Sequence, residues 1–284
     1  MGSLGIHDGT FHADEVTACA LLILYGKIDR DKIVRTRDLH VLSKCDYVCD
    51  VGGVFDPALK RFDHHQSDYN GPLSSAGMVL NYLADQSIIE PAWHKFLADK
   101  LIIGVDTIDN GGYTPPNGLC TFSGVISEFV PVDHDSPPEA YDSAFFEALD
   151  FCIGHLKRLR ARFDYIQAAK AVVKRAMESK EKVLYFEKSI PWLESFFELG
   201  GEHHPAEFII MPAGKHWKLR GIPPTYDRRM EVRRPLPEAW AGLLERELKK
   251  VSGIDGAIFC HKGRFISIWQ TKEDAEKAFG KVYF

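Results

Sequence analysis

The chain has 284 residues, of which 45% are hydrophobic and 26% charged, and its formal net charge is −5 with neutral histidines. This balance is that of a globular protein with one large or two ordinary domains, and it excludes disordered and collagen-like chains. The weak acidity provides no overall basic field, so a nucleic acid would need a local basic patch. The six cysteines form no CxxC pair, which predicts reduced thiols in a cytoplasmic protein. No apolar run reaches the roughly 18 residues of a membrane-spanning helix and no signal peptide is recognisable, so no membrane association is expected.

The first half of the chain alternates short apolar segments with helical patterns, which predicts a parallel sheet with helices on both faces. Strands are predicted at 4–6, 32–37 and 45–49, and helices at 13–25, 74–84 and 91–105. Ser74 or Ser75 is a suitable N-cap for the second of these helices. Its amino end follows closely behind His64 and His65 and is suited to hold an anion.

The second half has a different pattern. Residues 115–138 are predicted to form a long loop with short elements, and residues 139–180 one long helix or two. Strands follow at 183–186, 208–211, 217–221, 257–260 and 265–269, with helices at 237–251 and 272–279. The predicted fold class is therefore α/β. An N-terminal parallel-sheet domain covers residues 1–180, including the helical linker 139–180, and a smaller α+β domain covers residues 181–284.

Four apolar segments of the first half end in side chains that can bind a metal ion. They are followed by His7 with His12 and Asp14, by Asp50, by Asp63-His64-His65, and by Asp106 with Asp109. Each group taken alone is more often a turn or a capping motif. Because parallel strands bring their carboxyl ends to one edge of a sheet, the four groups together predict a metal site. Their number suits two divalent ions, a pair that can support attack of water on a phosphoryl centre.

The N-terminal half resembles the DHH phosphoesterase superfamily, whose naming motif corresponds to Asp63-His64-His65. More closely, nearly the whole chain is similar to the melanocyte-proliferating-gene family, also labelled metal-dependent protein hydrolases. The segments that carry this similarity are GIHDGTFHADE at 5–15, VRTRD at 34–38, DVGG at 50–53, RFDHHQ at 61–66, LSSAG at 73–77, DTIDNG at 106–111, PLPEAWAGL at 235–243 and VSGIDGAIFCH at 251–261.

The resemblance implies a metal-dependent exonuclease that shortens RNA or short oligonucleotides from the 3′ end. It implies two divalent ions, with Mn²⁺ favoured and Mg²⁺, Fe²⁺ or Zn²⁺ as alternatives, held by His7, His12, Asp14, Asp50, His64 and Asp106. Asp50 is the expected bridge between the ions, and Asp109 is the alternative to Asp106. The superfamily motif usually reads His-x3-Asp-x-Asp, whereas this chain has His7-x4-His12-x-Asp14. The extra imidazole favours manganese, iron or zinc over magnesium.

The resemblance also implies that residues 1–180 are the metal-binding catalytic domain and that the smaller domain, residues 181–284, closes over and binds the substrate. It further implies roles for residues beside the ions. Asp63 is expected to orient a neighbouring imidazole, and His65 to contact phosphate or to protonate the leaving oxygen. Candidate substrate contacts are Arg35, Arg37, His261 and Arg264; the last two are equally compatible with a solvated hairpin turn. A basic cluster at Arg228, Arg229, Arg233 and Arg234 is expected either to follow a nucleic-acid backbone or to be a solvated loop.

Two other functions are compatible with the sequence. The same metal site would serve a small-molecule phosphatase or pyrophosphatase, and a single structural metal would serve a non-catalytic scaffold. No HExxH motif is present, so the protein-hydrolase label has little support. The oligomeric state stays open, with a homodimer among the alternatives.

Overall fold

The structure is a computed structural model and describes residues 1–133 and 135–283. It divides into two compact units, Met1–Phe163 and Asp164–Phe284. The division falls within the long helix α7 (Pro138–Met177), whereas the sequence placed a boundary near residue 180. Each unit contains one five-stranded sheet, and the fold as a whole is mixed α/β.

The sheet of the first unit consists of β1 (Gly2–Ile6), β2 (Ile28–Arg35), β3 (Tyr47–Cys49), β4 (Phe55–Asp56) and β5 (Arg61–Phe62). Its strand order is β2-β1-β3-β5-β4, and every neighbouring pair is parallel except β4 with β5. Because β1, β3 and β5 run in the same direction, their carboxyl ends lie at one edge of the sheet. The residues that follow them are His7, Asp50 and Asp63.

Most helices of the first unit contribute to one large apolar core. They are α1 (Ala13–Leu24), α3 (Ser75–Asp85), α4 (Pro91–Leu97), α5 (Ile103–Asp109), α6 (Phe122–Ser127) and the first part of α7. The short helix α2 (Leu39–Leu42) covers the opposite sheet face. Alternation along β3 shows the two faces, because Tyr47 and Cys49 enter the large core while Val48 packs in a separate cluster with Leu42.

Helices α4 and α5 are joined by a π-helical segment, Ala98–Ile102. A π turn contains one more residue than an α turn, so it rotates the residues that follow it about the helix axis. The apolar period over 91–105 predicted helix here, and that prediction is confirmed, but the period alone does not distinguish the π turn. The segment therefore sets which direction Asp106 and Asp109 face from α5.

The sheet of the second unit consists of β6 (Val183–Tyr185), β7 (Phe208–Ala213), β8 (His216–Gly221), β9 (Ala257–Cys260) and β10 (Ile266–Trp269). Its order is β6-β7-β8-β10-β9, antiparallel except for β6 with β7. Helices α9 (Glu245–Ser252) and α10 (Lys272–Gly280) share one apolar cluster with the sheet. Helix α8 (Trp192–Glu198) and the end of α7 share another, which includes Ile209 and Met211 of β7.

The predicted helix over 237–251 is wrong in its first half. Glu238–Trp240 forms a single 3-10 turn, and α9 begins only at Glu245. Gly242 has φ +75°, a left-handed conformation that interrupts a right-handed helix and that glycine adopts without strain. Leu244, which a helix over 237–251 would place on its apolar side, is accordingly 57% exposed.

No helix in the described ranges has both the length and the apolar composition needed to cross a membrane. All six cysteines are free thiols, in agreement with the prediction from their spacing.

Candidate metal centre

The polar residues that follow the parallel strands line one open cleft of about 1210 Å³ in the first unit. The predicted site residues in its lining are His7, His12, Arg37, Asp50, Asp63, His65 and Asp109. Another part of the wall comes from the start of α6 and the residue before it, including Thr121 and Ser123. Side chains from strand ends, from α5 and from the region 115–138, predicted as a long loop with short elements, therefore line the cleft.

Asp50 lies at the centre of this cluster. It follows β3 with φ +57°, and its amide donates to the Phe62 carbonyl at 3.0 Å, which ties it to β5. Its Oδ2 is 3.3 Å from His7 Nε2, and its Oδ1 is 3.3 Å from His64 Nε2 and 3.4 Å from His65 Nδ1. The two oxygens of one carboxylate thus face different imidazoles, His7 on one side and His64 with His65 on the other.

The imidazoles and carboxylates of this cluster stabilise one another's charged forms and so shift one another's pKa values. Burial lowers the pKa of His7, but the contacts with Asp50 and Glu15 outweigh burial and raise this pKa to about 10. Burial is likewise outweighed at His64, whose pKa is raised to about 11 by Asp109 and Asp50. Burial raises the pKa of Asp50, yet His64 and His7 lower it to about 2. In the metal-free protein both imidazoles are therefore protonated at neutral pH and neutralise the carboxylates.

Glu15 was not predicted as a site residue, yet its fully buried carboxylate lies beside His7. Glu15 Oε1 is 3.0 Å from His7 Nε2, and both carboxylate oxygens accept the His12 amide at 3.0 Å. His12 is the N-cap of α1, and an acidic residue three positions later is the signature of a capping box. That spacing was visible in the sequence and would have placed Glu15 next to His12.

Three overlapping groups of side chains in the described ranges bring possible ligand atoms within 4.8 Å of one another. They are His7, His12, Glu15 and Asp50; Asp50, His64 and His65; and Asp14, His64 and Asp109. Asp50 joins the first group to the second, and His64 joins the second to the third. Five of the six predicted ligands belong to these groups.

Two atoms of this cluster suit a divalent ion, although His64 Nε2 also lies within ion-pair distance of Asp50 and Asp109. Asp50 Oδ1 and His64 Nε2 are buried and have no hydrogen-bond partner among the residues that the structure describes. A buried polar atom without a partner is unfavourable by about 1–3 kcal/mol. Carboxylate oxygen and imidazole nitrogen are ligand atoms of first-row transition metals, and these two lie 3.3 Å apart.

The amino end of α3 is occupied by the Asp14 carboxylate. Asp14 accepts hydrogen bonds from the Ser74 hydroxyl at 2.5 Å, the Ser75 amide at 2.9 Å and the Ala76 amide at 2.6 Å. The sequence suggested that this helix end could hold an anion, and the protein's own carboxylate takes that place. Asp14 also lies 3.9 Å from His64 Nε2.

Asp106 binds the same helix end. Its Oδ1 accepts from the Ser74 hydroxyl at 2.7 Å and from the Gly77 amide at 3.1 Å. One hydroxyl has one proton, so Ser74 donates to Asp14 or to Asp106 but not to both. Burial, with the Asp50 and Asp109 charges, raises the pKa of Asp14 well above its usual value, so Asp14 can supply the second proton.

Asp109, rather than Asp106, faces the metal-binding groups. Asp109 Oδ2 is 3.1 Å from His64 Nε2, while Asp106 belongs to none of the ligand groups formed by residues 1–133 and 135–283. His64 Nδ1 is 3.0 Å from Asn110 Oδ1. With Nδ1–H donating to this oxygen, the imidazole presents Nε2 as the ligand atom.

Asp63 orients His65 and the glycine loop after β3. Its Oδ1 accepts the His65 amide at 3.1 Å and lies 2.8 Å from His65 Nδ1, and its Oδ2 accepts the Gly53 amide at 2.6 Å. The His65 side chain is 63% exposed and lines the cleft. Since Nδ1 is engaged, Nε2 is the nitrogen that can meet a substrate.

The two arginines predicted near the metal edge occupy different environments. Arg35 is 3% exposed, donates to Asp142 at 2.7 Å and to the Gly9 carbonyl at 2.5 Å, and lies over the Phe145 ring. It therefore fastens the Gly9 loop to α7 and is not accessible to a substrate. Arg37 is 66% exposed at the cleft and lies 3.2 Å from Asp8 Oδ1.

His261 and Arg264 form the turn between β9 and β10 in the second unit. His261 Nδ1 accepts the Gly263 amide at 2.9 Å, and the Arg264 amide donates to the His261 carbonyl at 2.8 Å. Arg264 has φ +54°, which is typical of a tight turn. Both residues therefore lie in a hairpin turn, and this local geometry does not decide whether they contact a substrate.

The basic cluster at 228–234 is engaged within the protein. Arg228 pairs with Glu231, and Arg234 Nε lies 2.5 Å from Glu207. Arg233 donates to four backbone carbonyls, those of Gly201, His204, Ala206 and Pro223. This cluster therefore organises its own loop and the segment before β7.

Comparison with known proteins gives a consistent family assignment. Residues 3–279 match the MYG1 exonuclease family, described as an uncharacterised protein family (UPF0160). The MYG1 protein of Chlamydia pneumoniae is 51% identical over 97% of this chain and 94% of its own length. The MYG1 exonuclease of Rattus norvegicus is 32% identical over 96% of this chain and 82% of its own length.

Among solved structures, RecJ from Thermus thermophilus in complex with Mn²⁺ aligns with 99% of this chain at 14% identity and a TM-score of 0.28. This chain spans about half of that RecJ chain, 52%. So distant a likeness transfers no function. The family match over nearly the full length is decisive, and the chain belongs to the MYG1 exonuclease family.

Proposed function

We propose that the protein is a divalent-metal-dependent phosphodiesterase that removes nucleotides from the 3′ end of RNA or short oligonucleotides. Its family makes it a metal-dependent hydrolase, and the rat and mouse relatives bear the name exonuclease. The observation that carries the proposal is the pair of buried ligand atoms Asp50 Oδ1 and His64 Nε2, which lie 3.3 Å apart and make no hydrogen bond in the described part of the chain.

Two divalent ions fit the overlapping ligand groups. His7, His12, Glu15 and Asp50 would hold one ion, and Asp14, His64 and Asp109 the other, with Asp50 Oδ1 3.3 Å from His64 Nε2 between them. Such ions, when bound, lower the pKa of water and neutralise charge on phosphate oxygens. The high share of imidazole favours Mn²⁺, with Fe²⁺, Zn²⁺ and Mg²⁺ as alternatives.

The protein's own residues would position the substrate and move a proton. His65, held through Nδ1 by Asp63 at 2.8 Å, would give a proton from Nε2 to the leaving oxygen. Arg37, exposed at the same cleft, would contact a phosphate beside the scissile bond. Asp63 acts through His65, because its second oxygen is bound to the Gly53 amide.

The proposal is tested with RNA labelled at its 5′ end, incubated with Mn²⁺, Mg²⁺, Zn²⁺ or Co²⁺. We expect a ladder that shortens from the 3′ end with at least one of these ions, and no ladder with the Asp50→Ala variant. Phosphate release from pyrophosphate without RNA shortening would instead identify a small-molecule phosphatase. One tightly held zinc per chain and no hydrolysis would identify a scaffold.

We place the protein in the cytoplasm, because all six cysteines are free thiols. Fractionation of cells, with detection of the protein by antibody, tests this placement.

A further inference from the structure

Strand β8 carries two basic side chains on one face of the second sheet. Lys218 and Arg220 alternate with Leu219, which is fully buried in the cluster shared with α9 and α10. Because side chains alternate along a strand, both cations point to the opposite face. This face has no part in the cluster beneath α9 and α10. Over β6 and β7 it is covered by α8 and the end of α7, where Met211 and Ile209, the β7 partners of Lys218 and Arg220, are buried.

Both cations are half-buried and lack an anionic neighbour. Burial lowers the pKa of Lys218, with a smaller effect from Arg220, and burial alone lowers that of Arg220. Neither has an ion pair with a carboxylate in the described ranges. Partial removal of two like charges from water without a counter-charge is unfavourable. Such a pair is typical of a surface that receives its anion from a ligand.

The neighbouring strands add apolar and ring side chains to the same face. In the strand register Lys218 pairs with Ile268, which pairs with Phe259. Arg220 pairs with Ile266, whose carbonyl accepts the His261 amide at 3.0 Å. The Phe259 and His261 rings lie 6.2 Å apart, and both residues are partly exposed.

This combination is that of a platform for single-stranded nucleic acid. Cations bind the phosphates of a strand, and ring faces on an open sheet stack against its bases. A duplex would not offer its bases to the rings, because they are paired and stacked inside the helix. An acidic protein could pair its carboxylates with the cations, but it has no nucleobases to stack on the two rings.

We propose that the face formed by Lys218, Arg220, Phe259, His261, Ile266 and Ile268 binds the single-stranded nucleic-acid substrate. We name this part of the second sheet, over β8, β10 and β9, the open face; over β6 and β7 the same side is covered by α8 and the end of α7. Lys218 and Arg220 contact phosphates, while Phe259 and His261 stack against bases. This inference rests on the proposed exonuclease function and assigns a substrate surface formed by residues other than the metal ligands.

The test measures binding of a short, fluorescently labelled single-stranded RNA to the full chain by anisotropy, with divalent ions chelated so that the RNA stays intact. For the double variant Lys218→Gln, Arg220→Gln we expect about tenfold weaker binding or more at low salt. The slope of log Kd against log salt should fall by about 1.4, since each phosphate contact on a single strand contributes about 0.7.

Matched variants separate this surface from general charge and folding effects. Lys188→Gln with Lys250→Gln removes the same two charges from exposed positions of the second unit and should leave the slope unchanged. The exchange Lys218→Arg, Arg220→Lys keeps both charges and should keep the salt slope. Phe259→Leu should weaken binding about fivefold or more without changing the slope, because stacking is not ionic.

Hydrolysis of bis(p-nitrophenyl) phosphate, which has a single phosphate and no nucleobase for the open face to bind, distinguishes failure of this inference from failure of the proposed function. An unchanged salt slope in the Lys218→Gln, Arg220→Gln variant overturns the inference, whatever the activity. An equal loss in the Lys188→Gln, Lys250→Gln control also overturns it. If the wild-type protein hydrolyses neither the ester nor RNA, the proposed function is wrong. The binding measurement still tests whether the open face binds single-stranded RNA.

Discussion

At the scale of single residues, the candidate centre is a network in which carboxylates and imidazoles compensate one another. Asp50 contacts His7, His64 and His65, and Glu15 supports His7 from inside α1. In the metal-free protein, protons on the imidazoles provide the positive charge that divalent ions would otherwise supply. The same residues can therefore alternate between a protonated and a metal-bound state.

Asp50→Asn should reduce Mn²⁺ affinity by more than about 100-fold, because loss of residues that only orient ligands already costs 10–100-fold. The asparagine keeps the shape of the side chain but removes the charge shared by His7 and His64. Isothermal titration calorimetry with Mn²⁺ measures the effect. Asp85→Asn, at the exposed end of α3, is the matched control and should bind as the wild type does. Equal affinity of the two variants would contradict a central role for Asp50.

Glu15→Gln should lower the pKa of His7 from about 10 while leaving the protein folded. The amide oxygen still accepts the His12 amide, so the cap of α1 survives, but the charge that stabilises protonated His7 is lost. Histidine side-chain NMR across a pH series measures this change. Glu245→Gln, in the exposed first turn of α9, serves as the control. A His7 titration that does not move would show that Glu15 acts only as a cap.

At the scale of elements, the amino end of α3 holds the acidic residues of α1 and α5 in place. Asp14 and Asp106 share Ser74, and backbone amides of the first turn complete their hydrogen bonds. Gly77 makes this approach possible, because a Cβ there would lie 2.2 Å from Asp106 Oδ2. The helix end thus fixes Asp14 toward His64 and draws Asp106 away from it.

Gly77→Ala should destabilise the protein by about 1–3 kcal/mol, the usual range for overfilling a packed site. It should also weaken Mn²⁺ binding, because Asp106 and α5, which carries Asp109, must move. Gly104→Ala in α5 is the matched control, since a Cβ there meets nothing within 4 Å. That substitution should stabilise by up to about 1 kcal/mol through helix propensity. Chemical denaturation of both variants gives the comparison, and equal stability changes would refute the argument.

At the scale of the whole molecule, metal binding should depend strongly on pH. The folded-state pKa values of His7 and His64 are raised to about 10 and about 11, so both imidazoles carry protons at neutral pH. A metal ion binds only neutral imidazole, so binding must release these protons. The sign follows directly: affinity rises as pH increases toward these values and falls as pH decreases.

We expect the apparent Mn²⁺ affinity to rise by up to about tenfold per pH unit for each proton released, between about pH 6 and pH 9. Calorimetry in two buffers of different ionisation enthalpy counts the released protons. At least one proton per chain should appear at neutral pH. Affinity that stays constant over this range would show that the imidazoles are already neutral or do not bind the ion.

Local sequence determined much of the fold and the membership of the site. Alternation and helical period predicted the parallel strands around His7 and Asp50, the helix α3 and a helical region over 139–180, but only the structure shows that this region is the single helix α7. The sequence did not predict the break at Gly242, because the apolar period continues across this residue although the helical backbone conformation stops there. Glu15 was not predicted as a site residue. A carboxylate that caps a helix has the same sequence signature whether or not it also contacts a histidine.

Only the tertiary structure decided how the polar residues are used. The sequence placed Asp106 and Asp109 together, but the π turn before α5 and the amino end of α3 separate their roles. The sequence indicated Arg35 as a substrate contact, whereas in the structure Arg35 is buried and paired with Asp142 of α7, which is distant in sequence. It predicted the strand of Lys218 and Arg220 but not which face stays open. The physical reason is common to all three: residue type and spacing fix the local backbone, while the partner of a polar side chain comes from a distant segment.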